Sequence, residues 1–339
     1  MSMFFHPQSM LQYDHSCDNM HDQRSLLLRT IRGAMSLRRG PQKGINTMDS
    51  SIGSLMVVAA SDRAALLEGF AGHAGSVFCD LEDTVSEQAK AGARDLVVEM
   101  LAAGEFTGAY MIRLNARATE HWKHDLEKII PAKPAYVVIP KIVCAQDLVD
   151  AEADIAQAES AAGIPVGTTK LVILIETAAA VLRVDSICAA SERLHALLFG
   201  AEDYIGELGV NATVGGAEVA YARGAIACAA KAYGLVSIDR AWLSVDDDEG
   251  FYADGMTGRI MGFDGRFVVN EKQAEVANNF YAPTEFEVEK SRALLATLED
   301  SLSRGAAVGV SGGTFVDLAS IRRAKTILAR WEALNADAD

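Results

Sequence analysis

Eight short apolar or β-branched runs, separated by longer Ala-rich amphipathic stretches, limit what this chain can fold into more than any other feature. The runs are Ser54–Ala60, Ser76–Asp83, Tyr110–Asn115, Tyr136–Lys141, Lys170–Thr177, Leu197–Asp203, Val236–Trp242 and Phe263–Val269. Each is rich in Val, Ile or Leu with little alternation, the pattern of a strand buried on both faces. The intervening stretches, among them Asp62–Phe70, Ser86–Leu101, Ala145–Ala162 and Glu218–Tyr233, read as helices. Gly72, Gly104, Gly163 and Gly234 stand where helix C-caps fall. Strand-then-helix units repeated in this way predict an α/β chain, a (β/α)8 TIM barrel, with an open doubly wound sheet as the competing arrangement. After Pro283 the pattern changes. Thr284–Arg304 reads as a Glu-rich helix, Gly305–Phe315 as a hairpin or loop, and Asp317–Ala333 as a final helix. The expected organisation is an N-terminal arm over residues 1–50, a barrel catalytic domain over 51–283, and a C-terminal helical lid segment over 284–339.

At 339 residues and 50% hydrophobic content the chain can bury a large core, and α/β barrels of this length commonly form one domain. A net charge of −15 repels phosphate backbones, which argues against a nucleic-acid partner. No apolar run approaches the roughly 18 residues that a membrane-spanning helix needs. Cys17, Cys79, Cys144, Cys188 and Cys228 are odd in number and widely spaced, whereas a disulfide framework or zinc site needs tighter clustering. They read as reduced core thiols of a cytoplasmic protein. The seven histidines are scattered and form no H-x-x-x-H pair. Within the first fifty residues, Arg24, Arg29, Arg32, Arg38, Arg39 and Lys43 occupy an acid-free stretch, preceded by Asp14, Asp18 and Asp22. No h-region with a cleavage site accompanies them, so this part reads as a flexible or oligomer-packing arm, or an early translation start.

The chemistry gathers at the ends of the runs, which in a barrel form the active-site face. The second run ends in Asp80-Leu81-Glu82-Asp83, and the third holds Arg113 and Asn115. The fourth ends at Lys141, the fifth at Glu176-Thr177, and the sixth at Glu202-Asp203, while the seventh carries Asp239. Charges at six successive ends, mostly carboxylates around one Arg and one Lys, point to a shared site; a ring of solvated loop charges and internal salt bridges is the plainer reading. Converging carboxylates repel one another in a partly dry site, and a divalent cation relieves this. With oxygen donors only, the expected ion is Mg²⁺ or Mn²⁺. It would keep open positions for an α-keto acid and act on its carbonyl as a Lewis acid. The planar fork of Arg113 suits a substrate carboxylate.

At these residues the sequence resembles the citrate lyase β-subunit-like and malyl-CoA lyase group. The matching stretches are Cys79-Asp80-Leu81-Glu82-Asp83-Thr84-Val85, Ile112-Arg113-Leu114-Asn115, Ile139-Pro140-Lys141 and Leu174-Ile175-Glu176-Thr177-Ala178-Ala179. Phe199-Gly200-Ala201-Glu202-Asp203-Tyr204, Tyr221-Ala222-Arg223, Ile238-Asp239, Asp248-Glu249-Gly250-Phe251 and Gly262-Phe263-Asp264-Gly265 follow in family order. Phe315-Val316-Asp317-Leu318-Ala319-Ser320-Ile321 is similar to the C-terminal lid motif of malyl-CoA lyases. The resemblance implies Mg²⁺ ligands at Glu176 and Asp203 and a keto-acid clamp at Arg113. It also implies an acid/base at Asp317, donated by a neighbouring subunit of a homotrimer or hexamer. Asp80 and Lys141 join Arg113 and Asp317 as expected catalytic groups, and Glu82 and Asp239 join Arg113 as expected substrate-binding groups. The implied reaction is the Mg²⁺-dependent cleavage or Claisen-type formation of a β-hydroxyacyl-CoA, malyl-CoA-like or citryl-like, giving an acyl-CoA and a keto acid. Asp317 also fits a helix N-cap.

Departures from the family pattern cluster in the part that serves CoA. The family's Arg before strand one is Ile52, its Pro-Gly is Ala59-Ala60, and its helix Lys aligns with Gly69. Its Ile-His-Pro-x-Gln becomes Val269-Asn270-Glu271-Lys272-Gln273. CoA would then be gripped differently, by Arg63 or the basic arm, or the acyl donor is not a CoA thioester. Two other readings follow: an aldolase or thioester hydrolase on a related non-CoA β-hydroxy acid, and a non-catalytic relative. A class II pyruvate aldolase is expected to bring a His to the site, and no run end carries one.

Overall fold

Residues 52–303, 309–311 and 314–335 are described by the computed structural model, so the arm expected over residues 1–50 lies outside the described residues. Parallel strands β1 (Gly53–Ala59), β2 (Ser76–Asp80), β3 (Tyr110–Arg113), β4 (Tyr136–Ile139), β5 (Lys170–Ile175), β6 (Leu194–Phe199), β7 (Val236–Asp239) and β8 (Gly265–Val268) pair in chain order. β8 returns to β1, with Gly53 opposite Gly265, and that closure excludes the doubly wound sheet.

The strands lack simple amphipathic alternation because each has two apolar environments. Inward side chains, among them Leu55, Phe78, Met111, Val138, Leu174 and Phe267, fill the barrel. Outward ones, such as Val58, Ile112, Ile139, Ile175 and Phe199, pack beneath the helices. Those helices are α1 (Arg63–Ala71), α2 (Lys90–Ala102), α3 (His121–Ile129), α4 (Ala145–Ala161), α5 (Ala178–Leu182), α6 (Val184–Cys188), α7 (Ala201–Leu208), α8 (Ala220–Tyr233), α9 (Asp248–Met261) and α10 (Glu271–Tyr281). α8 ends at Gly234, whose φ of 68° is the left-handed cap geometry that favours glycine.

Two boundaries move the chemistry. β2 stops at Asp80, which leaves Glu82 and Asp83 in the following loop. β6 runs earlier than the sequence pattern suggests, and α7 starts at Ala201, so Glu202 and Asp203 occupy a helix first turn instead of a strand end. In the tail, α11 (Glu285–Ser303) and α12 (Leu318–Asn335) pack through Leu294, Leu298, Ile321 and Ala324. β9 (Gly309–Ser311) and β10 (Thr314–Val316) pair as an antiparallel hairpin. Arg330 on α12 donates to the Asp264 carbonyl at 2.6 Å and so anchors the tail beside the entrance to β8.

Cys79 and Cys188 are buried free thiols, Cys144 is half-buried, and Cys17 lies outside the described residues. Cys228 is exposed on α8 and departs from the core expectation. No described helix is long and apolar enough to cross a membrane.

Candidate active site

Strand parity selects which polar residues meet. Phe78 and Met111 point into the barrel, so Asp80 and Arg113, two residues further along the same strands, point inward at the C-terminal mouth. They are register partners on adjacent strands. Leu174 points inward as well, and Glu176 follows it at the same spacing.

Arg113 is nearly buried and heavily held. Its Nε and Nη2 each donate to Asp80 at 2.6 Å, and Nη1 donates to Asp83 at 3.0 Å, with Glu82 Oε2 at 3.2 Å. The bidentate edge of the guanidinium therefore faces Asp80, which corrects the expectation that the fork itself meets substrate; what it can offer a ligand is the outer Nη1/Nη2 edge. Asp80 also accepts from the Glu82 N–H and from both the N–H and hydroxyl of Thr84. Burial pushes its carboxyl up, but Arg113 and these donors hold it below the ordinary value. Five donors converge on its two oxygens, so Asp80 is fixed against Arg113 and held in its charged form.

Across the mouth, Glu176 is 1% exposed, and the Lys141 ammonium reaches both its carboxylate and that of Asp203. Burial drives Glu176 up to about 7, against the pull of Lys141. Burial acts the same way on Asp203, but the touching Lys141 ammonium and the Glu176 carboxyl hold it down. Lys141 Nζ lies 3.6 Å from Glu176 Oε2, and the Lys141 N–H donates to Glu176 Oε1 at 2.6 Å. Lys141 adopts left-handed backbone, φ 57°, uncommon for a residue with a side chain and enriched at functional sites. Gly200 completes the geometry, because a Cβ there would lie 2.6 Å from the Glu176 Cβ. Only glycine leaves room for this carboxylate.

Glu82 joins the two halves. It is 9% exposed and feels Arg113, Asp83, Glu176 and Lys141. Burial, reinforced by the like charges of Asp83 and Glu176, pushes it up to about 7. Its Oε2 has no hydrogen-bond partner among the described residues. Among the described residues, five carboxylates thus share the rim with two cations, Arg113 and Lys141. A hard divalent cation fits this all-oxygen, charge-excess donor set, and Glu176 with Asp203 are the adjacent pair that would hold it.

Asp239 is not brought to this rim. It lies one residue past inward-facing Ile238, so it points outward and is fully buried against Arg223 of α8, whose Nε donates to it at 3.0 Å. Arg223 also binds Asp254 of α9, and Gly258 is tolerated only as glycine, since a Cβ there would stand 2.1 Å from Asp239 Oδ2. This corrects its expected substrate-binding role: it braces the wall between strand and helix. Sequence reading also missed Arg240 directly after β7; its guanidinium binds Asp254 at 2.8 Å. Asp83 and Thr84 were visible in the Asp80 motif, but their bonds to Arg113 and Asp80 depend on how the loop wraps.

Asp317 caps α12. Its carboxylate accepts from the Ser320 N–H at 2.8 Å, and the Asp317 N–H donates to the Ser320 hydroxyl at 2.9 Å. These bonds stay within the tail. Among the altered positions, Gly69 is buried in the core, where an added Cβ would stand 3.3 Å from Val58. Asn270 caps α10 and Gln273 binds the Trp242 carbonyl at 3.0 Å, which gives the region after β8 a structural use.

A closed (β/α)8 barrel with an Arg–carboxylate pair facing an acidic pair at its C-terminal mouth has the layout of a barrel enzyme's active site. The chain belongs to the HpcH/HpaI aldolase/citrate lyase family, whose model matches residues 54–271. It is 32% identical over 276 residues to the citrate lyase subunit beta of Leuconostoc mesenteroides subsp. cremoris, covering 81% of this chain and 91% of the relative. It is 31% identical over 299 residues to the L-malyl-CoA/beta-methylmalyl-CoA lyase of Cereibacter sphaeroides, covering 81% and 93%. Among solved structures, a citrate lyase from Burkholderia xenovorans LB400 shares the fold at TM-score 0.72 and 21% identity, over 86% of this chain and 94% of that one. A citrate lyase beta subunit from M. tuberculosis, complexed with oxaloacetate and magnesium, matches at TM-score 0.57 and 26% identity, over 70% of this chain and all of that one.

Proposed function

We propose that this chain is a Mg²⁺-dependent carbon–carbon lyase, or Claisen-type condensing enzyme, joining or separating a keto acid and an acyl thioester through an enolate. The observation that carries the proposal is the buried Glu176 carboxyl, bridged by Lys141 to the exposed Asp203 carboxyl, across one mouth from the Arg113 clamp. The relatives named citrate lyase and malyl-CoA lyase, and the magnesium and oxaloacetate in the M. tuberculosis structure, support this reading.

Glu176 and Asp203 would hold Mg²⁺, which when bound supplies a Lewis acid for the keto-acid carbonyl. The outer N–H edge of Arg113, aimed by Asp80, binds the keto-acid carboxylate and leaves the carbonyl carbon facing the thioester. In the condensing direction Asp317 of a neighbouring copy takes a proton from the thioester methyl, and the enolate carbon forms the new bond to the carbonyl carbon. The carbonyl's π pair becomes the alkoxide oxygen's and then takes a proton to give the β-hydroxyl. Cleavage runs the same steps backwards: the hydroxyl loses its proton, the carbon–carbon bond breaks, and Asp317 returns a proton to the enolate carbon. Lys141 keeps Glu176 and Asp203 close together, and Glu82 orders the face of Arg113 away from Asp80. A homotrimer or hexamer, with each lid closing a neighbour's mouth, accounts for an acid/base whose hydrogen bonds all lie in its own tail.

The test is a thermal-shift screen of glyoxylate, oxaloacetate, pyruvate, acetyl-CoA and CoA, each with and without Mg²⁺. The expected result is stabilisation by at least one keto acid only when Mg²⁺ is present. Stabilisation by no keto acid, or equal stabilisation in EDTA, removes the proposal.

A further inference from the structure

Lys90 begins α2, on the helix layer behind the mouth, and its ammonium is buried with the residue 8% exposed. A buried ammonium carries a large desolvation cost and normally sits beside a carboxylate. Here Nζ donates instead to three neutral oxygens: the Leu81 carbonyl at 3.1 Å, the Glu82 carbonyl at 2.8 Å and Asn115 Oδ1 at 2.6 Å. An ammonium has three N–H donors, so all are used. The acceptors come from two different strand exits. Leu81 and Glu82 follow β2, one and two residues after Asp80; Asn115 follows β3, two residues after Arg113.

Asn115 is itself fixed, since its backbone N–H and Nδ2 both donate to the fully buried Asp125, at 2.7 and 2.8 Å, and Arg94 holds the other oxygen of Asp125 at 3.0 Å. On the β2 side, the turn that Lys90 grips wraps its Glu82 and Thr84 N–H groups onto the Asp80 carboxylate. Carbonyls 81 and 82 face Lys90 while amides 82 and 84 face Asp80, so one side of this turn cannot shift without the other. The chain of contacts runs from α2 through the turn to Asp80, and from Asp80 to the guanidinium of Arg113.

We propose that Lys90 is a positioning residue of the site: it staples the exits of β2 and β3 together and thereby sets the angle at which Arg113 presents its outer N–H edge to a keto acid. This rests on the reading of Arg113 given above. Because Glu176 and Asp203 come from β5 and α7 on the other side of the mouth, the staple acts on the keto-acid side and leaves the metal pair alone.

The experiment compares Lys90→Met, Arg113→Lys and the wild type in the full-length protein by two measurements. Calorimetry gives Kd for Mg²⁺ alone and for oxaloacetate, glyoxylate and pyruvate with Mg²⁺ saturating. Hydrogen exchange with mass spectrometry follows peptides covering residues 79–86 and, as a reference, 172–178. For Lys90→Met the expected result is a keto-acid Kd at least tenfold higher, a Mg²⁺ Kd within twofold of wild type, and faster exchange confined to 79–86. A parallel loss of both affinities, with faster exchange in both peptides, would show a general packing role and overturn the proposal, as would unchanged keto-acid affinity while Arg113→Lys loses it. If Arg113→Lys also binds keto acids normally, the Arg113 reading fails, and the exchange data alone decide the staple: no acceleration at 79–86 overturns it. Should Lys90→Met not fold, Lys90→Gln, which retains two of the three N–H donors on a shorter reach, is read by the same criteria.

Discussion

Replacing Glu82 by Gln removes a charge while keeping nearly the same shape, and its effect on stability should depend on pH in one direction only. In the folded chain burial, with Asp83 and Glu176 nearby, raises this carboxyl from 4.5 to about 7. A carboxyl raised on folding makes the folded state bind more protons between those two values. Stability from this group is therefore present below pH ~4.5, declines as pH rises through the window, and is fully lost above about 7. At ~1.4 kcal/mol per pH unit the rise is worth about 3 kcal/mol. For a chain of this size ~2 °C per kcal/mol is the usual conversion, or roughly 6 °C. Gln cannot ionise, so Glu82→Gln and wild type should melt together at pH ~4.5 and nearly so at pH 5, and the variant should melt higher by roughly 6 °C at pH 8. The assay is thermal unfolding by circular dichroism from pH 5 to 8 in EDTA, so that no metal neutralises the rim. A variant that melts lower than wild type at pH 8 would refute the reasoning, since it would mean that the contact with Arg113 outweighs burial and like-charge repulsion.

Glu176→Gln should abolish calorimetric Mg²⁺ binding, because it removes the more buried of the two oxygen donors; equal binding in wild type and variant would move the metal elsewhere. Arg113→Lys keeps the charge but cannot bind Asp80, Asp83 and a ligand together, so keto-acid binding measured with saturating Mg²⁺ should weaken by about 1–3 kcal/mol. Asp317→Asn should leave the melting temperature unchanged, because Asn caps helices as well as Asp, yet lower turnover roughly 10²-fold or more. Co-expressed with Glu176→Gln it should regain activity in mixed oligomers, and no recovery in oligomers proven to be mixed would confine each lid to its own chain.

The barrel was legible because its signal is long-range and repetitive. Eight Val/Ile/Leu runs without alternation suit few architectures besides a parallel sheet covered on both faces, and closure needed only the Gly53–Gly265 pairing to become visible. Boundaries were less legible for a local reason. Leu197–Asp203 reads as one apolar run with an acidic end, but the chain leaves the strand at Phe199, and Gly200 caps a helix that carries Asp203 in its first turn. Nothing in the run itself marks that turn. What marks it is Glu176 on the adjacent strand, whose Cβ forbids any side chain at residue 200. That contact spans two strands and is invisible along one.

The site shows the same division between pattern and parity. Charge at successive strand ends was enough to locate the mouth, but residues at a strand end alternate between two fates. Asp80, Arg113 and Glu176 share the inward register of Phe78, Met111 and Leu174 and so converge. Asp239 sits one residue out of that register, beyond Ile238, and its charge meets Arg223 in the helix layer. Counting strand ends treats the two cases alike, whereas counting from an apolar residue known to face inward separates them. The same count explains Lys90, which lies in the helix layer yet governs the mouth. It acts through carbonyls, which unlike side chains are available at every residue whatever its parity, so a helix-layer cation can grip an inward-facing loop from behind. Backbone acceptors leave no trace in residue identity, and a buried Lys in an Ala-rich helix was the only sign of this contact the sequence could carry.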